Sequence, residues 1–287
     1  MIRFISLYYR SIGSCLSISF LLFFNSNCFS QKIVSTQKTN EEIFLARIKQ
    51  FNEFLDRFNY KTDFNGNQVD SVFKRKMPRG KFLNSIFDLK DKRILSGVDS
   101  YSKSYIDLKS AFIDEVLAGG RKINKYSPNI IAEARSRIVY KNAPQTISIF
   151  LSQEIIGENK VKWVILDVKG DIMNFLKADT AYVRFIPPTS NETDFINLKR
   201  ALEDSDHLQY YASRDFRFDP VSVFFYCINS KLIRFEYVEQ VIYHILDIPG
   251  WCIKVRDFNR NELNSGWLIS DVGKNSLDRI SYLKTLK

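Results

Sequence analysis

Apolar and polar residues alternate along this chain with two different periods, and the change between them falls near Pro128. Upstream the period is helical. Phe44, Ile48, Phe51, Leu55 and Phe58 recur at spacings of four and three, one apolar stripe of a helix that opens at the capping pattern Thr39-x-x-Glu42 and runs to about Tyr60. Asn65-Gly66 marks a turn. A short helix is predicted over Lys81 to Leu89. A longer one, over Ser104 to Leu117, carries Tyr105, Leu108, Phe112 and Val116 on one face and stops at Gly119-Gly120.

Downstream the period shortens to two. Glu133, Arg135 and Arg137 alternate with Ala132, Ala134, Ser136 and Ile138, the pattern of a strand with one wet face, predicted over Ile130 to Lys141. Thr146 to Ile156 and Lys160 to Val168 are strand-like and form a hairpin. Ala181 to Ile186 reads as a short strand ended by Pro187-Pro188. Thr189-x-x-Glu192 opens a helix to about Glu203. Four strands complete the order: Val221 to Ile228, Lys231 to Leu246, Trp251 to Phe258 and Gly266 to Val272. The charged loop Asn259 to Ser265 between the last two is expected to be exposed.

This order predicts an α+β protein, with helices packed on strongly curved antiparallel sheets. It also contains an echo. Lys162-Trp163-Val-Ile-Leu-Asp167-Val168 matches Gly266-Trp267-Leu-Ile-Ser-Asp271-Val272 at an offset of 104, and Pro144 and Pro249 lie 105 apart. Two related units are therefore expected, 41–175 and 176–287, either as separate domains or as one continuous domain. Trp163 and Trp267 would hold equivalent places, as core anchors or as walls of a pocket.

The start of the chain has a different character. A basic opening with Arg3 and Arg10 precedes an apolar run from Ile12 to Phe24, and Cys28-Phe-Ser30 puts small residues before Gln31. That is the order of an export signal over residues 1–30, cleaved between Ser30 and Gln31, with a polar lead-in over 31–40. Two alternatives stay open: an uncleaved anchor, and a lipoprotein acylated on Cys28. Periplasmic or secreted localisation is expected in each cleaved case.

Composition fits a folded protein. Hydrophobic residues make up 45% and charged residues 26%, while Gly (11) and Pro (7) are scarce. No later run of apolar residues is long enough to span a membrane. The formal charge of +10 loses two cations with the leader. A basic exported protein is expected to meet anionic surface rather than nucleic acid. The densest basic run, Lys74, Arg75, Lys76, Arg79 and Lys81, lacks interleaved aromatics and any nucleic-acid motif. It is either a solvated loop or a contact with an anionic surface.

Removing the leader leaves two cysteines, Cys227 and Cys252, which could pair outside the cytosol or remain as buried apolar residues. The two histidines, His207 and His244, are far apart, and no Cys/His spacing suits a metal. No cofactor is expected. No G-x-S-x-G, H-E-x-x-H, P-loop or dinucleotide fingerprint occurs.

Helices followed by long antiparallel hairpins that end in a W-[VL]-I-x-D-V strand, at Trp163 to Val168 and Trp267 to Val272, resemble the nuclear transport factor two-like superfamily. The resemblance implies a cone in which helices and a bent sheet enclose a cavity. Residues 41–172 have the length of one such unit, whereas 189–287 are short for a second. Members of that superfamily include isomerases, dehydratases, hydrolases and many non-catalytic proteins, and the enzymes use Asp, His and Tyr inside the cone. The matching candidates here are Trp163, Trp267, Tyr243 and His244. Tyr243 and His244 are adjacent in a strand, so they point to opposite faces and cannot both line one pocket without a bulge. His244 as a general base would need an orienting carboxylate, which no spacing in the sequence supplies. The reading that follows is an exported, non-catalytic binding or scaffold protein of the cell envelope, for an unknown small molecule or envelope protein. The alternative is a small-molecule isomerase, dehydratase or hydrolase.

Overall fold

Six antiparallel strands form one open sheet in the order β3-β2-β1-β4-β5-β6, and this makes the protein α+β. The computed structural model describes residues 50–63, 65–96, 99–157, 160–176, 186–203, 208, 211–213, 218–261 and 264–286. Residues from Gln50 onward form one compact unit. The leader with Cys28, Ser30 and Gln31, the first part of the predicted opening helix, the strand predicted at 181–186 (save Ile186) and His207 lie outside the described residues.

The helical half comes first. α1 (Phe51–Phe58) buries Leu55 and Phe58 of the predicted stripe, leaves Phe51 half-buried, and adds Phe54, which the stripe did not include. α2 (Ser71–Lys76) starts on Asp70, whose carboxylate accepts from the N–H of Phe73. α3 (Arg79–Ser85) is shorter than the helix predicted over Lys81 to Leu89. Its last predicted residues instead run beside the sheet, where Phe87 pairs with Ile269. α4 (Lys92–Ser96) leads into α5 (Ser100–Ala118). α5 begins four residues earlier than the apolar pattern suggested because Asp99 caps it, accepting from the N–H of Ser102. It ends at Gly119, with Gly120 at φ +57°.

The sheet is two three-stranded hairpin sets. β1 (Ile130–Tyr140), β2 (Ala143–Gly157) and β3 (Lys160–Lys169) form one, and β4 (Ile233–Ile245), β5 (Trp251–Phe258) and β6 (Gly266–Lys274) form the other. They join where β1 pairs with β4, from Ile130↔Ile245 to Tyr140↔Ile233. The echo in the sequence has a counterpart in the pairing. Gln153↔Trp163 and Asp257↔Trp267 are the same register 104 residues apart, as are Phe150↔Asp167 and Lys254↔Asp271. Both ladders shift register at the same place, between Phe150 and Leu151 and between Lys254 and Val255.

Two turns explain the hairpins. Lys141 (φ +48°) and Asn142 (φ +63°) are the two residues between paired Tyr140 and Ala143, the left-handed pair that a two-residue hairpin of this twist requires. Between β4 and β5, Pro249 and Gly250 (φ +78°) occupy a turn closed by the N–H of Trp251 on the carbonyl of Ile248.

One side of the sheet faces the helices. Phe54, Phe58, Phe82, Phe87, Phe112 and Val116 pack there against Ile130, Ile245, Trp251, Ile253, Val255 and Ile269. Phe112 sits at the centre, its ring 6.4 Å from that of Phe58, 6.2 Å from Phe87 and 5.2 Å from Trp251. Farther along the same side Ile138, Ile147, Ile149 and Val168 are covered by Ile172, Met173, Phe224 and Cys227. On the other side Ile131, Phe150 and Cys252 pack under Tyr282 and Leu283 of the C-terminal helix.

Three expectations need correction. Val221 to Ile228 is not a strand: it lies in helix α7 (Pro220–Asn229). Its run of Val, Phe and Tyr imitates a strand, but Asp219 accepts from the N–H groups of Val221 and Ser222, and Pro220 sits in the first turn. These are start signals of a helix. The helix predicted from Thr189 to Glu203 is broken into a 3-10 turn (Pro188–Thr193) and α6 (Leu198–Glu203), because Asp194 and Phe195 both take positive φ. The loop from Asn259 to Ser265 is not simply exposed. The Asn264 amide donates to the carbonyls of Ser85 (2.9 Å) and Phe87 (2.8 Å) and accepts from the N–H of Leu89. The last helix, α8 (Arg279–Thr285), was not anticipated; Asp278 caps it. No helix among the described residues is long and apolar enough to cross a membrane.

Lys141 is an L-residue with a side chain in the left-handed region, which costs roughly 1–2 kcal/mol. Lys141→Gly relieves that strain against the greater entropy of an unfolded glycine. It is expected to leave the protein as stable or more stable by up to about 1 kcal/mol, measured as the urea midpoint. A clear loss of stability would show that the Lys141 side chain makes a contribution the turn geometry does not.

Candidate functional site

Residues 243 and 244 divide the chemistry of the sheet. Strand alternation turns Tyr243 toward the helices and His244 toward α8.

On the α8 side the β1–β4 register pairs Ile131 with His244 and Glu133 with Ile242, so Glu133 and His244 are diagonal neighbours. His244 Nε2 lies 3.0 Å from Glu133 Oε2 and Nδ1 lies 2.9 Å from the Tyr282 hydroxyl. Cys252 Sγ is 3.1 Å from the same hydroxyl. The other oxygen of Glu133 accepts from Ser148 Oγ and Arg135 Nε, each at 2.9 Å. One direction of donation satisfies every member. The Cys252 thiol donates to Tyr282, Tyr282 donates to Nδ1, and Nε2–H donates to Glu133. This is the carboxylate that the sequence could not supply, 111 residues from its histidine.

The chain is closed. His244 is 2% exposed, and Glu133, Tyr282 and Cys252 are each 7% exposed. Burial would raise the Glu133 carboxyl, but the bonds from His244, Arg135 and Ser148 outweigh it and hold the group down to about 2. Burial pushes the Cys252 thiol up to about 11, against the bond to Tyr282, and raises the Tyr282 phenol. At neutral pH the thiol is therefore protonated, which makes it a poor nucleophile. α8 is held over this chain from both ends. Lys169 Nζ donates to the carbonyls of Leu283 and Leu286. Arg279 Nη1 donates to Ser152 Oγ (2.9 Å) and to the carbonyl of Pro128 (3.1 Å). Cys227, on α7, packs on the opposite side of the sheet from Cys252, and both thiols are free. The disulfide left open by the sequence is not formed.

On the helix side Tyr243 gathers aromatics from distant strands. Its ring stacks on Phe51 with centroids 3.6 Å apart and planes within 14°. Trp267 meets it at 5.1 Å and Trp163 at 6.4 Å. Trp163 on β3 is three strands away from Tyr243 in the sheet order. Ala132, the cross-strand partner of Tyr243, is a small residue on β1, one of the strands between them. Trp163, Trp267 and Tyr243 are thus brought together, while His244 is separated from them by the sheet. Trp163 stays 42% exposed. Its cross-strand partner Gln153 carries a buried Oε1 with no hydrogen-bond partner. The tryptophan most deeply buried, Trp251, was not singled out by the echo. Its indole N–H donates to Glu115 at 2.8 Å and Lys274 Nζ lies 3.6 Å over its ring.

The basic run occupies the last turn of α2 and the start of α3. Lys74, Arg75, Lys76 and Lys81 are exposed and Arg79 is half-buried. Arg57 of α1 is 2% exposed; its Nε donates to the carbonyl of Glu53, and neither of its terminal nitrogens has a partner. Burial lowers its pKa, against a smaller opposing effect of Glu53. Among the described residues no three His, Cys, Asp or Glu side chains gather as a metal set. Compared with family models, curated proteins and solved structures, the chain matches none.

Two outcomes follow. Glu133 is depressed in the folded state, so its contribution to stability is present above the unfolded value and is lost as the pH falls toward about 2. The loss is on the order of 3 kcal/mol, and Glu133→Gln flattens that acid limb in urea titrations run across pH. An unchanged limb would remove Glu133 as its source. Arg57→Met replaces a buried cation whose terminal nitrogens lack partners with an apolar chain and is expected to stabilise by about 1 kcal/mol or more, read by thermal unfolding; a loss of stability would show that the bond and charge of Glu53 outweigh the cost of burial.

Proposed function

We propose that this is an exported, non-catalytic binding protein of the cell envelope, and that its ligand contacts the aromatic group formed by Trp163, Tyr243 and Trp267. The observation that carries the proposal is the combination of a half-exposed Trp163 with an unpartnered Gln153 oxygen at its cross-strand position. Small-molecule sites pair aromatic walls with a few convergent polar groups, and an unpaired buried acceptor costs about 1–3 kcal/mol unless something donates to it. The ligand class that fits is an apolar or flat-faced small molecule carrying a hydrogen-bond donor. The export signal in residues 1–30 supports the compartment. The order of helices before a meandering sheet supports the resemblance to the nuclear transport factor two-like superfamily, many of whose members bind without catalysis.

The enzyme reading draws on the Glu133–His244 pair. Against it, each proton position in that pair is taken by another protein group and α8 covers them, so a substrate would have to displace the helix. The matched registers and matched bulges at an offset of 104 support a further part of the proposal: the two hairpin sets descend from one duplicated unit, and the aromatic group is built from the equivalent Trp strand of each.

The test uses 1-N-phenylnaphthylamine as an apolar fluorescent probe. Saturable binding is expected, with Trp163→Ala weakening it about tenfold or more and leaving the thermal midpoint close to wild type, since Trp163 is half-exposed. Equal binding by wild type and Trp163→Ala would overturn the assignment of the site.

A further inference from the structure

Four hydrogen bonds draw separate basic segments to one end of the helical layer. The Tyr60 hydroxyl donates to the carbonyl of Met77, fixing the end of α2 and the start of α3 against α1. The Asn59 side chain bonds both the carbonyl (2.9 Å) and the N–H (2.8 Å) of Ile123, fixing the segment after α5. Arg79 Nη2 donates to the carbonyl of Arg121. The last turn of α2, with Lys74, Arg75 and Lys76, therefore shares a surface with Lys81 of α3. Arg121, Lys122 and Lys125 of the following loop join it, and all seven cations are exposed.

Among the described residues none of these seven is in an ion pair; Arg121 acts on Glu115 through its charge, and the Lys125 ammonium lies 5.6 Å over the Tyr126 ring. The neighbouring acids are already occupied. Asp63 accepts from the backbone N–H groups of Asn65 and Asn67, Asp70 caps α2, Asp56 pairs with Lys61, and Asp247 takes Ser127. Large apolar side chains stand among the cations: Val72 is 45% exposed, Leu117 37% and Tyr126 48%.

We propose that this end of the protein docks on anionic phospholipid headgroups. Cations held at an interface attract phosphate, while apolar side chains between them enter the boundary between headgroup and acyl chain. A soluble polyanion would use the cations but has no use for Val72, Leu117 and Tyr126, and this decides for the lipid surface. The site is separate from the aromatic group around Tyr243, and neither proposal depends on the other.

The experiment is vesicle co-sedimentation of the chain purified after export, its N-terminus established by mass spectrometry so that any leader is common to all variants. Binding is expected to vesicles containing phosphatidylglycerol and not to pure phosphatidylcholine, and to weaken with salt. Each cation near an anionic surface contributes about 1 kcal/mol. The combined variant Lys74→Gln, Arg75→Gln and Lys76→Gln should therefore bind roughly a hundredfold more weakly. A control variant at the two hairpin turns of the first strand set, Lys141→Gln, Lys160→Gln and Lys162→Gln, should bind as wild type does. Equal loss in both variants, equal binding to both vesicle types, or binding to dextran sulfate without binding to the anionic vesicles would each overturn the proposal. Circular dichroism of each variant distinguishes a lost surface from a lost fold.

Discussion

The antiparallel pairing of β1 with β4 is the constraint on which the other elements depend. It joins two hairpin sets whose strands are close in sequence internally but far apart from each other: Ile130 pairs with Ile245. Each hairpin set is cheap to close because its turns are short, whereas the central pairing closes a loop of about ninety residues between Tyr140 and Ile233. Once that pairing forms, the sheet has two continuous faces, and the helices have something to pack on. A slip of one residue in this ladder would send Tyr243 to α8 and His244 into the apolar helix layer. The register is held by opposite requirements on adjacent residues, since Tyr243 needs aromatic neighbours and His244 needs Glu133 and Tyr282.

The two faces solve the burial problem differently. Toward the helices the core is built from phenylalanine and isoleucine around Phe112 and Trp251, and polar satisfaction is confined to its margins, as at Trp251 and Glu115. Toward α8 the sheet buries a carboxylate, an imidazole, a phenol and a thiol. Such a group of buried polar atoms is costly if one partner is missing and specific when none is. Here it fixes the position of a seven-residue helix too short to hold itself in place. The same closure that makes the chain a good staple makes it a poor catalytic site.

Much of this was legible in the sequence because strand alternation and helix caps are local. The strand from Ile130, the hairpin around Gly157 and the Trp267 strand follow from period two. The opposite facing of Tyr243 and His244 follows from adjacency alone. α7 was misread because its side chains favour a strand while its start signal, Asp219-Pro220, lies just outside the apolar run. The Glu133–His244 pair could not be read at all, since nothing local links residues that meet only through the central register. The same holds for the basic end. Lys74 to Lys81 is visible as a charge run, but Arg121 and Lys122 join it only through bonds made by Asn59 and Arg79.

The edges of the sheet bear on how such a molecule can meet a partner. β5 pairs with β4 only over Ile242–Ile245, so among the described residues the first part of β4 has an open edge beside exposed Phe235, Tyr237 and Val238. An open apolar edge invites a foreign strand. This one is irregular, because the ladder with β1 skips Glu236 and Glu239, and Arg234 and Glu236 form an ion pair across the gap at 3.2 Å. Bulges and charges of this kind disrupt the even row of donors and acceptors that an added strand needs. At the opposite end β6 is covered by the segment through Phe87, held by two backbone bonds to Ile269 and by Asn264. With the β6 edge covered and this stretch of β4 irregular, recognition at these two places falls to side chains rather than to backbone pairing. The two surfaces rich in uncommitted side chains are the aromatic group beside Gln153 and the basic end of the helical layer. They differ in the forces they offer, one apolar and short-ranged, the other electrostatic and salt-dependent. A single chain can therefore hold a ligand with one while resting on a charged surface with the other.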